Sequence, residues 1–330
     1  MKTYTQLAHL PNPGTPVVAT IGNFDGVHLG HQWVIAEVIE RARFLGGESI
    51  AITFDPHPAR VLRPEFPHTL ITPLSRKLEL LAATGIDATL VLPFTDVLRR
   101  MHSRDFAKEI LVNGVHVTEV HEGENFRFGY HAEAGAGRAQ SGNDSLEALG
   151  QELGFGVAIY APRSLRGAPV SSSRIRSLLT AGALSDNNAL SHARALLGRP
   201  FSIDSTPASG RGYGAKYAVP TINLAPYPEL LPANGVYITT LAIGGHAFEA
   251  VTNIGNRPTF GPDSFAVESH LLNFEPIELS ERTPLRLTFL RRLREERAFR
   301  TTQSLRDQIA RDVSHARRYF TLCQALFPTP

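Results

Sequence analysis

The sequence predicts an α/β protein: a doubly wound parallel-sheet domain in the first half, then a small antiparallel β-barrel closed by one helix. Three observations carry that prediction. From Val17 to about Gly182, short β-branched runs alternate with longer stretches of helical spacing, as strands and crossover helices do in a parallel sheet. From Gly198-Arg199-Pro200 onward, turn residues become frequent and the apolar runs shorten, with no helical stretch between them until residues 303–320. The chain has 330 residues, which at roughly 150 per domain accommodates about two domains.

In order, the first half offers strands at 17–21, 49–54, 88–92, 115–120 and 156–160. Between the first two lies a helix over 29–44, whose Val34, Ile35, Val38, Ile39 and Ala42 recur at three- and four-residue steps and form one buried face. Further helices are expected at 74–84, 103–111, 145–153 and 173–180, and another at 189–197. The second half offers strands at 219–224, 235–243, 247–254, 266–274 and 285–290. The boundary is placed near residue 186, giving domains 1–186 and 187–330.

Composition narrows the class of function. With 42% hydrophobic and 19% charged residues, the chain has the makeup of a soluble globular protein. Thirty-three Lys and Arg against 31 Asp and Glu leave a net charge of +2, which proposes no polyanionic partner. The stretch from 284 to 318 holds ten arginines against four acids, but Glu295-Glu296 interrupts it and Leu305, Ile309 and Val313 keep helical spacing, so it is expected to be a solvated amphipathic helix and not a nucleic-acid or membrane patch. Cys323 is the only cysteine, excluding an internal disulfide and a multi-thiolate zinc site. The start has no apolar signal core and nowhere do 18 apolar residues run together, so a cytoplasmic location is expected.

The first strand runs into Gly22-Asn23-Phe24-Asp25-Gly26-Val27-His28-Leu29-Gly30-His31 and then the amphipathic helix. Glycines and histidines thus fall at the carboxyl end of a strand and the first turn of a helix, where backbone N–H groups and the macrodipole favour a phosphate. His28 and His31 are three apart, so both rings can face one ligand, and Gly30 lets the backbone approach it. Taken alone, the pair also fits two solvent-facing histidines; zinc finds no Cys or carboxylate at ligand spacing. Farther on, Ser171-Ser172-Ser173-Arg174-Ile175-Arg176 opens another helix with hydroxyls at its cap and an arginine a turn later, a combination that serves as a plain cap or holds phosphates.

These residues resemble the G-N-F-D-G-V-H-x-G-H signature of the nucleotidylyltransferase module, Rossmann-like in fold, of the bacterial bifunctional riboflavin kinase/FAD synthetase family. Thr53-Phe54-Asp55-Pro56-His57-Pro58, Gly123-Glu124-Asn125-Phe126-Arg127-Phe128-Gly129 and the serine run agree with it in order. The resemblance implies that His28 and His31 stabilise the α-phosphate of ATP during adenylyl transfer to FMN. It further implies that Gly22, Asn23, Phe24 and Gly30 approach the nucleotide, that Asn125 lies among the nucleotide or flavin contacts, and that Ser172, Ser173 and Arg176 hold the triphosphate. An FMN phosphate is already ionised, so such a reaction needs alignment and charge stabilisation more than a base.

In the second half, Gly210-Arg211-Gly212-Tyr213-Gly214-Ala215-Lys216-Tyr217 is a flexible loop with two cations that can close over phosphates or simply cross the surface. Thr221 and Asn223, two apart on a strand, present two neutral oxygens to one face, suited to Mg²⁺ or to neighbouring backbone. Together with Val251-Thr252-Asn253-Ile254-Gly255-Asn256-Arg257-Pro258-Thr259-Phe260 and Val267-Glu268-Ser269-His270, the order is similar to the riboflavin kinase module of the same family. That resemblance implies a six-stranded barrel binding MgATP and riboflavin, phosphate contacts from Gly210, Gly212, Gly214 and Lys216, a metal held by Thr221 and Asn223, and Glu268 as general base for the ribityl hydroxyl. Here the glycine loop lacks the family's usual arginine and second glycine; Lys216 supplies a charge without an arginine's fork. The expectation is a bifunctional enzyme using ATP, riboflavin, FMN and Mg²⁺, with neither nucleic acid nor membrane as partner. An active adenylyltransferase beside a silent kinase, a non-catalytic flavin- or nucleotide-binding protein, and an RNA-binding role stay open as alternatives.

Overall fold

The computed structural model describes residues 1–10, 14–124, 145–181, 188–208, 221–256, 265–273, 275 and 279–326. They divide into two compact units, Met1–Ser172 and Ser173–Pro330.

The first unit contains β1 (Lys2–Tyr4), β2 (Val17–Ile21), α1 (Leu29–Leu45), β3 (Glu48–Asp55), α2 (Pro58–Leu62), α3 (Leu74–Ala82), β4 (Ala88–Pro93), α4 (Asp96–Arg99), α5 (Ser103–Asp105), β5 (Glu119–Gly123), α6 (Leu146–Leu153), β6 (Gly156–Tyr160) and the short hairpin β7 (Ser164–Leu165) and β8 (Ala168–Pro169). Six strands form an all-parallel sheet in the order β1-β4-β3-β2-β5-β6. Every residue of β2 is buried, because the sheet is covered on both faces. One face packs Ile21, Ile52, Leu90 and Val120 against Phe106, Ile110 and Leu149; the other receives Ile35 and Val38 of α1. The buried residues of α1 are Val34, Ile35, Val38, Ile39 and Ala42, the five that periodicity selects.

Of the elements that depart from the sequence expectation, two lie in the parallel sheet. The strand expected at 115–120 lies at Glu119–Gly123, and the segment before it, Phe106–Val115, continues as a π-helix with Phe106, Ala107, Ile110, Leu111 and Val115 buried. Val115 and Val117 reach the core from a helix end, with His116 left-handed at φ 57° between them, so a short apolar run that fits a strand serves another geometry. The edge strand β1 is too short and polar to announce itself.

The second unit comprises α7 (Ser172–Thr180, its first residue in the first unit), α8 (Ala189–Leu197), β9 (Phe201–Ser205), β10 (Thr221–Asn223), β11 (Gly235–Ile243), β12 (His246–Asn256), β13 (Phe265–Leu271), β14 (Leu285–Arg294) and α9 (Thr302–Leu326). Its antiparallel sheet runs β10-β13-β12-β11-β14-β9. The two edges meet: Pro207 bridges Leu224, Ala208 N–H donates to Asn223 O at 2.8 Å and Ala225 N–H to Thr206 O at 2.8 Å. The sheet is thereby closed into a barrel, which leaves neither edge open at that point. Thr239, Thr252 and Ser269, each fully buried, form a hydroxyl ladder across β11, β12 and β13 with O···O distances of 2.7 and 2.8 Å. Ala316 and Phe320 of α9 cover Val236, Ile238 and Val251 on the outer face. Among the described residues, no helix is long and apolar enough to cross a membrane.

Candidate active sites

In the parallel sheet the chain leaves β2 toward β3 on one side, and leaves β5 toward β6 on the other, so the carboxyl ends of β2 and β5 form the topological switch point where open α/β sheets bind ligands. The run Gly22–His31 occupies that place. Phe24 and Val27 hold positive φ, 47° and 38°, a conformation costly for residues with a side chain. Several ties impose it. The Asp25 carboxylate accepts from the N–H groups of Ile71 and Thr72 at 3.2 and 3.0 Å, Gly26 N–H donates to Thr72 Oγ1 at 3.0 Å, and Thr53 Oγ1 donates to Asn23 O at 3.4 Å. Gly22 N–H extends the ladder to Ile52 O at 2.9 Å.

His28 caps α1: its Nδ1 accepts from His31 N–H at 3.3 Å. With Nδ1 as acceptor, the neutral ring carries its proton on Nε2, which is the arrangement that donates to an anion. The two imidazoles lie stacked, centroids 3.6 Å apart and planes within 15°. A Cβ on Gly30 would stand 3.2 Å from the His28 ring, tighter than ordinary contact, so the glycine permits this packing. Phe24 points into the core beside Ile35 and meets His31 edge-on at 5.3 Å, while Asn23 before it is exposed.

Ser172, the first residue of α7, donates from Oγ to Asp25 O at 2.8 Å. Ser173 is exposed and Arg176 half-buried on the same helix, in the second unit. Asn125 lies outside the described residues, as do Gly210, Gly212, Gly214 and Lys216.

Three residues of this neighbourhood escaped the sequence reading. Asp25 lies in the signature run with no role assigned by residue type, yet its carboxylate is the clamp of the loop. Lys77 is buried on α3, donating from Nζ to Thr53 Oγ1 at 3.2 Å; burial lowers its pKa while Asp25 and Asp55 oppose the shift. Glu122, buried on β5, accepts from Ile21 N–H and, at 3.4 Å, from Thr20 Oγ1; burial pushes its carboxyl well above the usual range. A lysine and a glutamate where the helical and strand patterns demand apolar side chains are the available signals.

In the barrel, register brings the second set together. Asn223 stands opposite Glu268 across β10 and β13, and Asn253 opposite Glu268 across β12 and β13, so two amides flank one carboxylate. Thr221 is paired with His270, its Oγ1 3.5 Å from the ring Nδ1. Ile222 between them is buried and Thr221, Asn223 and Glu268 are half-buried, as alternation along a strand requires. Neutral and anionic oxygens on one face suit a hard cation such as Mg²⁺.

Two family models divide the chain in the same order: FAD synthetase matches residues 11–174 and riboflavin kinase residues 197–320. A bifunctional riboflavin kinase/FMN adenylyltransferase of Pseudomonas fluorescens is 35% identical over 301 residues, covering 91% of this chain and 92% of that protein. The chain belongs to the bifunctional riboflavin kinase/FMN adenylyltransferase family. A second member, from Escherichia coli K12, is 32% identical over 317 residues, 96% of each chain. A crystal structure described as a macrolide-efflux protein from Streptococcus pneumoniae shares the fold, with a TM-score of 0.80, 22% identity, and coverage of 96% of this chain and 98% of that one. The His28/His31 stack therefore lies in the FAD synthetase module, and the Asn223–Glu268–Asn253 row in the riboflavin kinase module.

Proposed function

We propose that the chain makes both flavin cofactors in sequence in the cytoplasm: riboflavin to FMN in a domain spanning 187–330, and FMN to FAD in a domain spanning 1–186. The observation that carries the adenylyl step is the stacked histidine pair at the switch point, with the His28 tautomer set by the His31 N–H. An FMN phosphate oxygen attacks the α-phosphorus of ATP, the bond from that phosphorus to the bridging oxygen breaks, and pyrophosphate leaves. His28 and His31 donate to the α-phosphoryl oxygens as charge grows on them, and the N-terminus of α1 adds its dipole. Gly22, Asn23, Phe24 and Gly30 bring backbone close to the nucleotide; Ser172, Ser173 and Arg176 hold the triphosphate; Asn125 contacts nucleotide or flavin.

In the kinase step Glu268 accepts the proton of the ribityl 5′-hydroxyl as its oxygen attacks the γ-phosphorus and ADP departs. Thr221 and Asn223 would hold Mg²⁺, and Gly210, Gly212, Gly214 and Lys216 close over the ATP phosphates. When bound, Mg²⁺ would supply positive charge against the transferring and departing phosphates in both steps.

A chromatographic time course with riboflavin, ATP and Mg²⁺, repeated with FMN, tests this reading. Riboflavin passing through FMN to FAD supports both halves. FAD from supplied FMN alone points to a kinase silenced by the altered glycine loop. No turnover, with retained flavin binding, makes the chain a binding protein; no flavin binding, with RNA affinity falling steeply with salt, makes it an RNA binder.

A further inference from the structure

The ladder between β2 and β5 stops early. Their register comprises Val18 opposite Glu119 and Ala19 opposite Val120, whereas β2 remains paired with β3 through Ile21–Ile52, and β5 with β6 through Gly123–Tyr160. Beyond Ala19 and Val120 the two strands no longer exchange backbone bonds, and the crevice at the switch point opens between them. Ile21, the last residue of β2, would be left with an unsatisfied buried donor at this split. Its N–H is taken by the side chain of Glu122, which also receives Thr20 Oγ1 at 3.4 Å. The carboxyl spans the gap that the backbone leaves.

We propose that Glu122 is a positioning residue for adenylyl transfer: its side chain replaces the missing ladder bond and holds the end of β2, and with it the Gly22–His31 loop, at the height where His28 meets the α-phosphate. The inference rests on the adenylyl-transfer reading of that loop. It explains a carboxyl only 3% exposed in a strand where an apolar side chain is the ordinary occupant. Ile21 N–H and Thr20 Oγ1 both donate to the carboxyl, so the service Glu122 performs is that of an acceptor oxygen, which a glutamine amide also provides at the same reach. Aspartate is one methylene shorter, and leucine has no acceptor.

The test is steady-state FAD formation from FMN by the full-length chain in wild type, E122Q, E122D and E122L, with FMN formation from riboflavin by the same samples as the control for an intact second module. E122L is expected to lower kcat for FAD formation by about 30-fold, with the KM for ATP and FMN held within about twofold, because a misplaced loop harms the transition state more than binding. E122Q is expected to recover kcat to within about threefold of wild type, and E122D to fall between. Should E122L fail to fold, E122Q and E122D decide: activity in E122Q with a loss in E122D supports the proposal. Wild-type kcat in both E122D and E122Q, or equal losses in E122Q and E122L, overturns it. Absence of FAD formation by the wild type overturns the functional reading itself, and Glu122's role with it.

Discussion

Ser172 donates its hydroxyl to the backbone carbonyl of Asp25 at 2.8 Å, across 147 residues of sequence. Asp25 is the clamp of the signature loop, so Ser172 and the histidine loop, both in the first unit, are tied through one backbone atom. Ser172→Ala removes a neutral bond of about 1 kcal/mol, and FAD formation is expected to fall about fivefold, with FMN formation unchanged. Parallel assays of both products on one sample check this; an equal fall in both products contradicts it.

His28→Ala removes the cap of α1 and, with it, the donor proposed for the α-phosphoryl group. Loss of one such donor is expected to cost about 100-fold or more in kcat for FAD formation, while riboflavin is still converted to FMN. Accumulation of FMN in a riboflavin-fed reaction is the outcome to look for.

Glu268→Gln keeps size and polarity and removes the proton acceptor proposed for the kinase step. A general base contributes roughly 10²–10⁴ in rate, so FMN formation is expected to fall in that range while supplied FMN still yields FAD. Normal FMN production by the variant removes Glu268 from the mechanism.

Arg41 forms two hydrogen bonds to Glu119, at 2.8 and 2.6 Å, and these, with His121 at 3.1 Å, bring the Glu119 carboxyl down to about 2. A depressed folded-state pKa means stability that is complete above the unfolded value and lost as pH falls through the folded one. The contribution is therefore present above about pH 4.5 and disappears toward pH 2. Arg41→Ala is expected to flatten the pH dependence of thermal stability in that window and leave its slope at neutral pH alone. Melting curves from pH 2 to 7 measure it.

Much of this architecture is legible one segment at a time. The helical face Val34, Ile35, Val38, Ile39 and Ala42 follows from 3.6-residue periodicity, and the strands Val17–Ile21, Gly156–Tyr160 and Gly235–Ile243 from β-branched runs between turn residues, because burial of one face acts locally on residue type. His28 and His31 stand out because their residue types and spacing suit phosphate chemistry, and Glu268 only through its place in a run of segments similar in order to the riboflavin kinase module. What pattern alone leaves open is settled by contacts distant in sequence. The run at 115–120 is apolar in either geometry, and only packing against the sheet makes Phe106–Val115 a π-helix and starts β5 at Glu119. The placing of Asn223 and Asn253 on either side of Glu268 is a matter of strand register, which depends on how β10, β12 and β13 pair. Asp25 looks like an ordinary charged residue in a linear reading, and Lys77 and Glu122 show only as charges where the local pattern is apolar. They acquire meaning when the fold buries them, since a buried polar group must find a partner, and here the partners include Thr53 and the backbone of Ile21, Ile71 and Thr72 beside the loop that carries the two histidines.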